Sequence, residues 1–199
     1  VSKESLLYTI AFTFIVAFVF VLAIALADAI TSERVSQNQK LVVSEAFLSS
    51  VGYLQDEPSE ELEKLAADFG EIKDDSIIRI ELGGQNILVR RFSGQAVWGM
   101  VDGVIAVDGT VSEIIGLEII SHNETPGLGG RIEEDWFTRQ FRGETIPPEG
   151  ITVIKGEGEA DENPDNGIVD GIAGASLTSK RIEKIVRGEI SKLRRETGQ

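Results

Sequence analysis

Cysteine is absent from the 199 residues. That removes disulfides, thiolate metal centres and cysteine-ligated iron–sulfur clusters from this chain. Histidine occurs once, as His122. A multi-histidine zinc site and a bis-histidine haem are therefore excluded, and a Ser–His–acid triad would have to use this one residue. His122 reads as a polar residue at a strand end. No G-x-x-x-x-G-K-[ST] run and no strand-to-helix G-x-G-x-x-G occurs, and Gly156-Glu157-Gly158 is too short to count as either. Positive charge is scarce: 19 Lys and Arg stand against 33 Asp and Glu, a net charge of −14. DNA and RNA, as polyanions, would be repelled. Redox chemistry here would need an organic cofactor.

With so many carboxylates, neighbours such as Glu133-Glu134 carry no acid–base signal. The cluster Glu157, Glu159, Asp161, Glu162 and Asp165 reads as a solvated acidic loop, its spacing matching no calcium loop. No catalytic residue and no metal ligand is expected.

What the chain does have is one long apolar run. Leu6 to Ala27 carries no charge, and its polar atoms are confined to Tyr8, Thr9 and Thr13. At ~1.5 Å per residue such a helix crosses the ~30 Å hydrocarbon core. Ala25-Leu26-Ala27 resembles a signal cleavage site, but the run exceeds a signal h-region of about 7–15 residues, so a retained anchor in the lipid bilayer is expected. Lys3 before the run, against Asp28 and Glu33 after it, favours a cytoplasmic N-terminus by the positive-inside bias. Arg34 and Lys40 lie further on. No ionisable group lies inside the run, so it offers no ion path.

The remainder suits one domain, giving a division into an anchor over 1–30, a stalk helix over 31–56 and a domain over 57–199. Thr31 to Leu54 reads as helix broken by Asp56-Glu57-Pro58. Ser59 to Phe69 is a short amphipathic helix, capped by Ser59, with Gly70 as its C′ residue. Strands follow at Ile77–Glu81 and Ile87–Phe92 around Gly83-Gly84-Gln85-Asn86, then at Val97–Val107 and Ile114–Ser121 through Asp108-Gly109. Glu133 to Phe141 reads as a short helix before Gly143, and Ile151 to Ile154 as a strand after Pro147-Pro148. Thr178 to about Arg195 forms the last helix, with Ile182, Ile185, Val186, Ile190 and Leu193 as its apolar stripe. Hairpins flanked by helices predict an α+β fold with antiparallel strands.

The segment Asp170-Gly171-Ile172-Ala173-Gly174-Ala175-Ser176-Leu177-Thr178-Ser179 joins a small-residue loop to that helix. Glycine and alanine let another group approach the backbone. A helix N-terminus offers unpaired N–H groups and a positive dipole end to an anion. Lys180 and Arg181 in the first turn oppose a bare helix dipole and fit an anion there. From these residues alone two readings stand open: an anion site, or a Ser/Thr-capped surface helix with solvated cations, which local physics favours.

The same segment resembles the flavin-attachment motif of the FMN-binding proteins of Rnf electron-transport complexes (the G subunit) and sodium-pumping NADH:quinone reductases (Nqr, the C subunit). Asp170 opens the motif, Gly174-Ala175 precede the acceptor, Ser176 stands at the acceptor position and Thr178 follows. Ser replaces the commoner Thr, and Ala173 stands where a hydroxyl residue is frequent. Upstream, Glu124-Thr125-Pro126-Gly127-Leu128-Gly129-Gly130 resembles the family's E-T-P-G-L-G run, with Trp136 and Phe141-Arg142-Gly143 after it.

The resemblance implies FMN joined through its phosphate to Ser176 by a flavin transferase that uses FAD. It implies a site formed by Asp170, Gly174, Ala175, Leu177 and Thr178 with Glu124, Thr125, Pro126, Gly127, Leu128 and Gly129. It also implies an electron-relay subunit among the membrane subunits of an ion-translocating oxidoreductase, with no substrate turnover of its own. Its place would be the cytoplasmic membrane of a bacterium or archaeon, the domain on the extracytoplasmic side. Length leans toward the Rnf type and the Trp98-Gly99 neighbourhood toward Nqr. Trp98 itself is expected in the core, or else beside the flavin. A stand-alone membrane-anchored flavoprotein feeding a reductase, or a non-redox sensor module, remain the alternatives.

Overall fold

The computed structural model describes residues 3–53, 58–72, 76–155, 161 and 163–198. Glu157, Glu159 and Glu162 of the acidic cluster, and Asp56 and Glu57, lie outside them. The chain divides into two compact units, Val1–Lys40 and Leu41–Gln199.

From Lys3 on, the first unit is part of helix α1 (Lys3–Ser50). Its apolar stretch is exposed on every side and is long and apolar enough to cross a membrane. The hydroxyls of Thr9, Thr13 and Thr31 each donate to the carbonyl four residues back at 2.8 Å. Polar atoms in an apolar helix are thereby satisfied without water.

The second unit begins with the end of α1, where Val43, Phe47 and Val51 are buried. The helix stops at Gly52, which has φ +96°. Gly52 N–H donates to Ser49 O and Tyr53 N–H to Leu48 O, the paired bonds of a Schellman motif. The stop therefore comes upstream of Asp56-Glu57-Pro58, because a left-handed glycine ends a helix without needing proline. Helix α2 (Glu60–Glu71) has Ser59 as N-cap, its Oγ accepting from Leu62 N–H. Gly70 is not the C′ residue expected of it: it is buried within the last turn, and Ile72 caps the helix.

Five strands form an antiparallel sheet in chain order: β1 (Ile77–Leu82), β2 (Gln85–Gln95), β3 (Met100–Asp108), β4 (Glu113–Ser121) and β5 (Glu144–Thr145). Gly83 and Gly84 make a two-residue β1–β2 turn, both at positive φ, which their lack of Cβ permits. The expected four-residue loop is shorter because Gln85 and Asn86 already pair with Leu82 and Glu81. The β3–β4 turn closes on Asp108, whose carboxylate accepts from the N–H groups of Thr110, Ser112 and Glu113 and from the Thr110 hydroxyl. Burial raises its pKa, but these hydrogen bonds outweigh burial and leave it below the usual value.

Both faces of the sheet are covered. Ile87, Val89, Val104 and Ala106 face the end of α1 and α2. Leu88, Phe92, Ile105 and Val107 face a core shared with helix α4 (Ser176–Thr197). This double burial explains why the strands read as apolar runs rather than alternating ones. The end of α1 lies directly on β4: a Cβ on Gly116 would sit 2.3 Å from Ser50 O.

Two further elements depart from the sequence reading, and a third, the strand expected at Ile151 to Ile154, gains an unexpected partner. Val97 to Gly99 are the β2–β3 turn, closed by Ala96 N–H to Gly99 O, and not the start of a strand. Glu133 to Phe141 is divided into a 3-10 turn (Gly129–Glu133), helix α3 (Asp135–Thr138) and a second 3-10 turn (Arg139–Phe141). Phe137 and Phe141 are both buried. A short parallel pair, β6 (Thr152–Ile154) with β7 (Ile168–Asp170), lies beside the α4 core. The fold is α+β with helices packed on an antiparallel sheet, as expected.

Candidate functional site

Thr125-Pro126-Gly127-Leu128 folds as a tight turn, with Leu128 N–H donating to Thr125 O at 3.1 Å. Proline suits the second position of such a turn, and Gly127 supplies the positive φ of +72° that the third requires. Gly130 N–H also donates to Thr125 O. Thr125, Pro126, Gly127 and Leu128 are exposed, whereas Glu124 and Gly129 are buried.

The second segment leaves β7 at Asp170. Gln140 clamps that backbone, accepting from Asp170 N–H at 2.9 Å and donating to its carbonyl at 3.3 Å. Gly171 N–H donates to Ile154 O, where a Cβ on Gly171 would be 2.7 Å from that oxygen. Ile172 to Ala175 forms a turn with Gly174 at φ +80°, and α4 begins at Ser176. The N-cap residue is Ala175, with no side-chain cap. The first N–H groups of a helix lack intrahelical partners, so a long helix meets the surface here with its positive end unmasked.

The three hydroxyls of the motif have different fates. Thr178 is buried and donates to Glu124 Oε2 at 2.7 Å. Ser179 is buried, donating to Ala175 O and accepting from Ile172 N–H, and so braces the turn. Ser176 is exposed, and among the described residues its hydroxyl has no hydrogen-bond partner. It borders a cavity of about 140 Å3 with Ile154, Lys155, Gly171, Gly174 and Lys180.

The structure brings the two segments together. Beyond the Glu124–Thr178 bond, a Cβ on Gly129 would lie 2.6 Å from Thr178 Oγ1, and one on Gly174 would lie 3.3 Å from Leu128 Cδ2. Glu124 Oε1 also accepts from Val97 N–H at 2.9 Å and Trp98 N–H at 2.8 Å, which adds the β2–β3 turn. Trp98 is therefore not in the core; its side chain is 71 % exposed. Its N–H is taken by Glu124 rather than by a strand ladder, and the turn holds the ring outward. Beyond Val42, the exposed large apolar residues among those described are Trp98, Met100, Leu128, Ile154 and Leu177. All five lie on or next to the segments that meet here.

One sequence expectation changes in detail and one holds. Lys180 needs no anion to explain it, since its Nζ donates to Val153 O and to Glu183, both at 2.7 Å. His122 follows β4 as expected, its Nδ1 accepting from Glu124 N–H and its Nε2 lying 3.2 Å from Glu133. Gln140 is a site component with no signal in the sequence. Trp98 takes the second of the two places expected for it, outside the core, and Ser179 of the motif run braces the turn.

Residues 97–190 match the family model described as the FMN-binding domain. The chain thus carries such a domain, behind an apolar helix. It is similar to the C subunit of Na+-translocating NADH-quinone reductases and to the G subunit of the Na+-translocating ferredoxin:NAD+ oxidoreductase complex. The reductase C subunit of Yersinia pestis is 33% identical over 106 residues, 51% of this chain and 39% of that protein. The oxidoreductase G subunit of Acetobacterium woodii is 27% identical over 179 residues, 85% of this chain and 82% of that protein. The chain thus spans about two fifths of the reductase relatives it matches. Crystal structures of the reductase C subunit from Parabacteroides distasonis (TM-score 0.62, 22% identity, 81% of this chain and 94% of that one) and from Shewanella oneidensis (0.59, 14%, 80% and 99%) share the fold.

Proposed function

We propose that the chain is the electron-carrying flavoprotein subunit of a membrane ion-translocating oxidoreductase, with FMN esterified to Ser176. The observation that carries this reading is the fate of the three hydroxyls: Thr178 and Ser179 are buried and engaged, and Ser176 is presented at an uncapped helix N-terminus. In ester formation the Ser176 oxygen bonds to the FMN phosphorus of FAD, the pyrophosphate bond breaks, AMP leaves and the hydroxyl proton is released. A flavin transferase carries this out.

The residues present fit the group. The α4 N-terminus faces the phosphate with backbone N–H groups and its dipole. Gly127 leaves its surroundings open, with nothing within 4 Å of a Cβ there, and Gly174 lets Leu128 come close to the turn. Trp98, Leu128 and Leu177 offer exposed apolar surface to a planar ring. Glu124, Thr125, Pro126, Gly129, Asp170 and Ala175 shape this surface from behind or at its edge. FMN, when bound, accepts and releases electrons; the protein holds it in place through each change of redox state.

The ferredoxin:NAD+ type, with its G subunit, is the reading we favour; alignment of that relative along most of both chains supports it. The helix of the first unit anchors the chain among membrane partners, with the domain on the extracytoplasmic side. The test is a denaturing gel of the full chain, made together with a flavin transferase and viewed for flavin fluorescence. The wild-type band fluoresces, Ser176→Thr retains the signal and Ser176→Ala loses it. Fluorescence that survives Ser176→Ala would falsify the assignment.

A further inference from the structure

Glu124 is only 4 % exposed, and among the described residues no Lys or Arg pairs with it. Its Oε1 accepts from Val97 and Trp98 N–H and its Oε2 from the Thr178 hydroxyl. Contacts that are all accepted ones suit an ionised carboxylate. A buried charge is costly to desolvate and is ordinarily paired with an opposite charge. Here only dipoles face it: two backbone N–H groups and one hydroxyl. His122 accepts from the Glu124 backbone N–H through Nδ1, and its Nε2 lies beside Glu133. A glutamine of the same shape could make the same backbone contacts without the burial cost of a charge. Holding the turns together therefore does not by itself require the carboxylate.

We infer that Glu124 is a positioning residue whose fixed negative charge, set between the Trp98 turn and the first turn of α4, lowers the reduction potential of the flavin. This rests on the reading that FMN occupies Ser176. Each electron taken up adds negative charge to the flavin until a proton follows, and a fixed anion in a poorly solvated site opposes it. Thr178 moderates the effect, since its hydroxyl dipole points its positive end at Glu124.

The test is a redox titration with dithionite on the full chain, purified in detergent after production with a flavin transferase. Glu124→Gln shifts the midpoint potential upward. Glu124→Asp, which keeps the charge, stays nearer wild type than Gln does. Thr178→Val removes the donor but leaves the charge, and shifts the potential downward. Opposite signs for Glu124→Gln and Thr178→Val are not expected of general loosening. Should Glu124→Gln fail to load flavin, the Thr178→Val shift decides. Loaded variants at the wild-type potential, or shifts of the same sign, overturn this assignment alone. A wild-type chain without flavin overturns the function above and this inference with it.

Discussion

Gly129 offers a sharp test of how tightly the two motif segments are joined. A Cβ there would lie 2.6 Å from Thr178 Oγ1 and 2.8 Å from Glu124 Oε2. Both side chains are buried and bonded to each other, so neither has a free rotamer to retreat into. Overpacking of this kind costs about 1–3 kcal/mol, and losing a hydrogen bond to a charged group adds about 1.5–3 kcal/mol. Partial relaxation leaves Gly129→Ala about 2–4 kcal/mol less stable. For a domain of this size each kcal/mol is worth about 2–4 °C, so the expected fall in Tm is about 5–15 °C. The assay is thermal unfolding of the full chain in detergent, with Gly127→Ala as the comparison. Gly127 has open space around it but φ +72°, so alanine there costs only about 1–2 kcal/mol of backbone strain. A Gly129→Ala protein within 2 °C of wild type, or less affected than Gly127→Ala, would refute the reasoning.

Other positions give independent checks. Trp98→Ala leaves stability within about 0.5 kcal/mol, as for an exposed residue, while altering flavin absorbance in the loaded protein; a large fall in Tm would put Trp98 back in the core. Phe47→Ala removes a fully buried ring and costs about 3–5 kcal/mol in denaturant unfolding, whereas an effect below 1 kcal/mol would mean that the end of α1 does not pack into the domain. Because the Asp108 carboxyl has a folded pKa below its unfolded one, its stabilising contribution is present above the unfolded value and is lost as pH falls through the folded one. Thermal scans between pH 6 and pH 2 should therefore show wild type losing its advantage over Asp108→Asn on acidification, and an advantage that grows would contradict this.

Periodicity revealed the apolar helix, the α2 and α4 stripes and the antiparallel hairpins, because each buries one regular face. It misjudged the start of β3, where a carboxylate 27 and 26 residues away takes the N–H groups of Val97 and Trp98. It found β6 after the two prolines but missed β7 and the parallel pairing, since three residues between glycine-rich loops carry little pattern. It also gave Gly70 a capping role; that glycine is instead buried within α2. The two motif segments were visible as glycine-rich runs, but their meeting through Glu124 and Thr178 depends on long-range packing. Which of three neighbouring hydroxyls is left exposed depends on that packing as well.

A sheet with both faces already covered has no interior left for a guest molecule. Any prosthetic group must settle on the rim, against turns and a helix end that are complete without it. On the proposed function, folding comes first and flavin attachment afterwards, on a finished surface rather than a nascent chain. Protein stripped of its pigment should keep its shape, and the yellow colour would report maturation rather than integrity.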